Sequence, residues 1–191
     1  MPAGACDAHC HVFGPAWKFP YAADRAYTPP DAPKETLAAM HRFLDVSRAV
    51  IVQASCHDAD NRATLDAIRA SEGRNRGVAI VDESFDDRAF RALHDGGIRG
   101  VRFNFVRHLG SRPEPKFFQH TVARLKALVK AAPDRVLWGT DWPHPNIAKY
   151  MPNDGDLVDL VPLIAPDETQ RRKLLVENPA RLYGFSDAGQ A

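Results

Sequence analysis

Apolar residues recur along this chain in short unbroken runs, and stretches with helical spacing separate those runs. The runs at 5–11, 48–55, 77–81, 98–105 and 135–142 read as buried strands; Ala49-Val50-Ile51-Val52 and Gly77-Val78-Ala79-Ile80-Val81 are the plainest. Between them, 34–44 places Leu37, Met40, Phe43 and Leu44 on one helical face, 61–70 carries Leu65 and Ile68, and 86–95 carries Phe90 and Leu93 before a stop at Gly96-Gly97. Residues 117–130 form a further amphipathic helix through Phe118, Val122, Leu125 and Val129. Helices at 157–164 and 168–176 follow, and Asn178-Pro179 opens a closing turn toward Leu182 and Tyr183. Residues 13–31 break the pattern: a loop dense in Pro and Gly, with Phe13, Trp17, Phe19, Tyr21 and Tyr27, and long enough to suggest a functional role.

Strand and helix alternate, which implies parallel strands joined by right-handed crossovers. A closed barrel of this kind needs eight strands and about 250 residues. Five strands are legible in 191 residues. The expected fold is therefore α/β, of the (β/α)8 barrel type but incomplete, in a single domain spanning 1–191 with no repeat or linker.

Composition changes this picture little. Hydrophobic content of 45% and charged content of 26% fit an ordinary globular protein, and a net charge of +1 gives no electrostatic case for nucleic acid or membrane partners. Three cysteines without a CxxC pair suit a reducing compartment, and residues 1–6 lack the basic and apolar regions of a signal peptide, so a cytoplasmic location is expected.

The chemistry concentrates in two segments near opposite ends of the chain, Asp7-Ala8-His9-Cys10-His11 and Trp138-Gly139-Thr140-Asp141-Trp142-Pro143-His144-Pro145. Each closes an apolar run, and in parallel α/β folds the groups at the carboxyl ends of strands face the ligand. His9 and His11, two apart, point to one face of a strand. Asp141 is a candidate general base, although an Asp at such a place also commonly caps a turn. The His pair could touch substrate, bind a metal or satisfy structure. Trp138 reads as core, while His41, His94 and His120 sit on helices and are expected to be solvated.

Together with Gln53-Ala54-Ser55-Cys56-His57, Gly100-Val101-Arg102-Phe103-Asn104-Phe105 and the ending Glu177-Asn178-Pro179-Ala180-Arg181-Leu182-Tyr183, these segments resemble the 2-pyrone-4,6-dicarboxylate lactonases, TIM-barrel members of the amidohydrolase superfamily. The resemblance runs from about residue 5 to residue 185. It implies a hydrolase of a cyclic ester carrying carboxylates, with Asp141 activating water and His9 and His11 acting on the scissile carbonyl, without metal or other cofactor. It implies substrate contacts from Tyr27, Ser55 and Arg102, with His108 standing where such lactonases have a second Arg, and a rim formed by His144 and Asn146. It also implies strands five to seven between Arg107 and the 117–130 helix, which this chain lacks, together with the binding His, Arg and aromatic residue they carry. The expected partner is a small dicarboxylate lactone, and an open barrel leaves room for a homo-oligomer. Two other readings stand beside this one: a metal-dependent amidohydrolase or decarboxylase on a carboxylated ring, and a truncated barrel without activity.

Overall fold

The run Arg-Ala-Val-Ile-Val is buried at every position, and it forms β2 (Arg48–Val52) at the centre of a parallel sheet. The computed structural model describes residues 1–82, 84–102, 123, 126–127, 129–145 and 153–185. Within them β1 (Cys6–Cys10), β2, β3 (Asn75–Ala79) and β4 (Ile98–Val101) pair in the order β1-β2-β3-β4, all parallel. The crossovers hold α1 (Lys34–Phe43), α2 (Arg62–Arg69) and α3 (Asp87–Asp95). α3 starts on Asp86, whose carboxylate accepts from the Ala89 amide at 2.8 Å, and it stops at Gly96 and Gly97, the latter at φ +93°.

One face of the sheet meets the helices: Ala49, Ile51, Ala79 and Ile98 pack with Leu37, Ala63, Ala67, Ile68 and Leu93. Gly77 permits the close approach, since a Cβ there would stand 2.6 Å from Ile98 Cδ1 and 2.7 Å from Ile68 Cδ1. The other face, with Cys6 and Val50, is covered by Phe185, Tyr183 and Ala180.

The fifth expected strand takes a different form. Residues 136–142 run alongside the edge of β1 opposite β2, in the same direction, through Ala8 N–H to Trp138 O (2.9 Å), Asp141 N–H to His9 O (2.7 Å) and His11 N–H to Trp142 O (2.6 Å). Two departures keep this segment from being a regular strand. β1 is bulged, because Asp7 faces Ala49 while Cys10 faces Ile51, and Asp141 is left-handed at φ +60°. The result is four strands plus one extended segment, where sequence periodicity suggests five strands.

The C-terminal region is more broken than expected. α4 (Asp154–Asp159) and α5 (Val161–Ile164) replace one continuous helix, since Pro162 lacks the N–H that would continue α4 and sits in the first turn of α5. α6 (Glu168–Arg172) passes through a π turn (Lys173–Glu177) into α7 (Asn178–Tyr183). The expected closing turn at Asn178-Pro179 is in fact a helix start, where Pro179 needs no donor. Leu174, Leu175, Val161, Ile164, Val129 and Trp138 form a second core around this region, which agrees with the reading of Trp138 as core. No helix among the described residues is long and apolar enough to cross a membrane.

Candidate active site

The bulge in β1 and the left-handed Asp141 bring the two chemical segments together at the carboxyl end of the sheet. Asp141 Oδ1 lies 3.3 Å from His9 Nε2 and 3.1 Å from His11 Nε2. His11 is buried and half of the His9 side chain is exposed; their rings meet edge to face with centroids 5.1 Å apart. His11 Nδ1 donates to the Val52 carbonyl at 2.7 Å, which fixes the ring and turns Nε2 toward Asp141. Burial pushes the Asp141 carboxyl up, but the hydrogen bonds from His11 and His9 outweigh it and hold the group well below the usual carboxylate range.

A buried scaffold that the sequence did not disclose stands behind this trio. Asp7 is fully buried; its Oδ1 accepts from Thr140 N–H (3.0 Å) and His9 N–H (3.2 Å), and its Oδ2 from Thr140 Oγ1 (2.6 Å) and His41 Nε2 (3.1 Å). Thr140 Oγ1 in turn accepts from the Trp142 amide at 3.0 Å. Asp7 thus ties β1, the 136–142 segment and α1 to one carboxylate. Gly139 lets the segment lie flat on β1, since a Cβ there would come within 2.5 Å of His9 N. His41, expected to be solvated, is only 8% exposed. Its signal lay in its spacing: four residues after the buried Leu37 it shares that helical face, whereas Phe43, expected on the apolar face, is 85% exposed. His94 is exposed as expected, and His120 lies outside the described residues.

The other expected site residues divide. Ser55 opens a 3-10 turn (Ser55–His57) directly after β2. Arg102 follows β4 and reaches back so that Nη1 donates to the Gln53 carbonyl at 3.3 Å. Tyr27 packs on Phe13, itself stacked on His11, and burial together with its contact to Cys56 pushes the Tyr27 phenol up while the Arg102 charge acts the other way. Ser55 and Arg102 thus stand past the carboxyl ends of β2 and β4, and Tyr27 joins His11 through Phe13. His144 does not present its ring there: it is buried, its Nε2 pairs with Asp154 Oδ1 at 3.0 Å, and it touches Asp141 only through its amide, which donates to the Asp141 carbonyl at 2.7 Å. His108 and Asn146 lie outside the described residues. His57 pins the long loop: Nε2 accepts from Gly14 N–H at 3.1 Å and Nδ1 donates to Pro20 O at 3.2 Å, and burial lowers its proton affinity.

The arrangement suits two kinds of chemistry. Two imidazoles and a carboxylate at a strand end can polarise a carbonyl and accept a proton from water. The same three ligand atoms lie mutually within 4.8 Å, and His11 anchors its second nitrogen on a carbonyl as metal-bound imidazoles do, so the trio also fits a divalent ion with open positions.

The amidohydrolase family profile matches residues 6–129 and 119–185. The chain is 38% identical to 2-pyrone-4,6-dicarbaxylate hydrolase of Comamonas testosteroni, an alignment covering 96% of this chain and 91% of that protein. It is 31% identical to 4-sulfomuconolactone hydrolase of Hydrogenophaga intermedia, covering 96% and 90%. The first alignment runs over 277 positions against a chain of 191 residues, so it carries a long internal gap. Among solved structures, that of a probable 2-pyrone-4,6-dicarboxylic acid hydrolase from Acinetobacter baumannii, with citric acid bound, superposes with a TM-score of 0.75 at 19% identity, over 95% of this chain and 100% of that one. The fold is that of the TIM-barrel hydrolases.

Proposed function

The chain belongs to the amidohydrolase family, and from that premise we propose that it hydrolyses a cyclic ester of the 2-pyrone-4,6-dicarboxylate type with Asp141 as general base. The observation that carries this reading is the convergence of His9 and His11 on Asp141 Oδ1 at 3.3 and 3.1 Å. A lactone carbonyl oxygen entering between them takes the imidazole N–H donors for itself. Asp141 then loses the hydrogen bonds that depress its proton affinity, at the moment it faces the attacking water. Asp141 accepts one water proton while the water oxygen bonds to the carbonyl carbon. The tetrahedral intermediate collapses, the ring C–O bond breaks, and the departing ring oxygen takes that proton back from Asp141. Positioned proton transfer of this kind contributes about 10²–10⁴-fold. Arg102 offers a fork to one substrate carboxylate, and Ser55 and Tyr27 supply hydroxyls. The curated relatives named as lactone hydrolases support the substrate class.

The reaction is metal-free in this reading. A second reading follows from the fit of the trio to a cation: His9, His11 and Asp141 would hold a divalent ion, which supplies Lewis acidity to the carbonyl. Turnover is expected to be low, because the stretch missing from this chain is the one in which the lactonases keep further carboxylate contacts, and without them the ring is less well positioned for attack. Loss of pyrone absorbance, followed with chelator-dialysed protein and again after adding zinc or manganese, tests both readings. Slow hydrolysis unaffected by chelation is expected. Activity that appears only with added metal favours the second reading, and absence of turnover in every arm overturns both in favour of a barrel without activity.

A further inference from the structure

A cleft of about 330 Å3 opens between α1 and α2, beside the starts of β2 and β3 and thus at the end of the sheet opposite Asp141. Its volume suits a small ligand. Most of its polar lining is engaged elsewhere. Lys34 is neutralised by Glu35 at 2.9 Å and Asp66 at 2.6 Å. Ser71 Oγ donates to Ile68 O and accepts from Asn75 N–H, and Ser47 Oγ donates to Ala5 O. Arg48 donates to the Gly4 and Val176 carbonyls and lies over the Phe185 ring, so the cations that remain are Arg42 and Arg74. Arg74 gives Nε to the Ser71 carbonyl at 3.0 Å, and neither guanidinium has a carboxylate partner among the described residues. His41 is the buried imidazole of the lining. It is 92% buried, its Nε2 is held by Asp7, and its Nδ1 makes no hydrogen bond among the described residues. Two guanidinium groups without carboxylate partners, in a cleft whose lining also holds a buried imidazole, make an environment for an anion with several acceptor oxygens.

We propose that this cleft is a second ligand site, for a small oxyanion held between Arg42 and Arg74, and that the buried His41 in its lining connects it to the catalytic end through Asp7 and Thr140. The connection is a continuous set of hydrogen bonds. His41 Nε2 meets Asp7 Oδ2 at 3.1 Å, Asp7 holds the amide and hydroxyl of Thr140 and the amide of His9, and Thr140 is joined to Asp141 in the chain. An anion that draws on the His41 ring therefore acts on the group that sets where the 136–142 segment sits on β1.

The test is calorimetric titration at low salt with two probes, inorganic phosphate and succinate, on the native chain, the Arg42→Ala/Arg74→Ala variant and Asp141→Asn. Saturable one-to-one binding of at least one probe is expected. It weakens about tenfold or more in the arginine variant, which loses charge-assisted hydrogen bonds, and it is retained in Asp141→Asn, which leaves the cleft lining intact. The probe that saturates identifies the anion as phosphate-like or carboxylate-like. Side-chain nitrogen spectra of histidine should show the His41 ring moving on saturation, with His9 and His11 following. Absence of saturable binding by either probe overturns the site, as does binding lost in Asp141→Asn but kept in the arginine variant. Movement of His41 alone overturns the connection. None of these outcomes depends on lactone turnover, so the site stands or falls separately from the proposed reaction.

Discussion

Replacing Asp7 by Ala should be among the most damaging single changes in this protein, although Asp7 touches no solvent and would not meet a substrate. The side chain accepts four hydrogen bonds, from Thr140 N, Thr140 Oγ1, His41 Nε2 and His9 N, at 3.0, 2.6, 3.1 and 3.2 Å. Thr140 and His41 are 2% and 8% exposed, so the donors left behind are cut off from bulk water. A buried donor without a partner costs about 1–3 kcal/mol. A water entering the vacated space recovers part of this, and losing one side of a buried charged network costs about 3–5 kcal/mol in net. Against a domain stability of about 5–15 kcal/mol, that brings the fold close to its limit. Asp7→Asn keeps the shape and one carbonyl oxygen and should cost about half as much. Urea unfolding at pH 7, followed by far-ultraviolet circular dichroism, measures both. Because Thr140 and Asp7 share a bond, Thr140→Val and Asp7→Ala together should cost less than their separate effects added. A loss below about 1 kcal/mol in Asp7→Ala, or full additivity with Thr140→Val, would refute the claim that this carboxylate locks the segment to β1.

Gly139→Ala places a methyl group 2.5 Å from His9 N and 2.7 Å from His9 Cβ, so it should cost about 1–3 kcal/mol by overpacking and reduce hydrolysis further by lifting Asp141 away from the His pair; thermal unfolding and initial rates check the two effects separately. His57 is buried neutral with its proton affinity lowered by burial, so its contribution to stability is present above its ordinary value of 6.5 and lost as pH falls from there toward its folded value. His57→Gln should flatten the fall in stability between pH 6.5 and pH 5, measured by urea midpoints, while leaving the Asp141-linked loss at more acid pH in place; an unchanged slope would contradict this.

The elements of the fold were legible where local pattern and tertiary demand agree. α1 and α2 fall within one residue of their expected bounds because a single apolar stripe packs on the sheet. β3 begins two residues earlier than its apolar run, since Asn75 and Arg76 are held by tertiary partners, Arg76 lying 4.9 Å over the Phe185 ring and donating to Gly184 O. The 136–142 segment could not be read as irregular, because its irregularity comes from a bulge in a distant strand and a left-handed Asp141. The His pair and Asp141 were legible as chemistry at strand ends. The scaffold behind them was hidden, since a helical histidine reads as solvated until the carboxylate that buries it is known. The role expected of His144 reads differently for the same reason: its partner, Asp154, lies ten residues further on and no periodic pattern links them.

The most direct measurement is steady-state hydrolysis of 2-pyrone-4,6-dicarboxylate by the native chain and by Asp141→Asn, with folding of both checked by circular dichroism. The amide keeps the shape and can still hydrogen-bond the histidines, but it cannot take a proton from water. The account predicts slow turnover by the native chain and its disappearance, by at least about 10²-fold, in the variant. Equal turnover in the two proteins would contradict it.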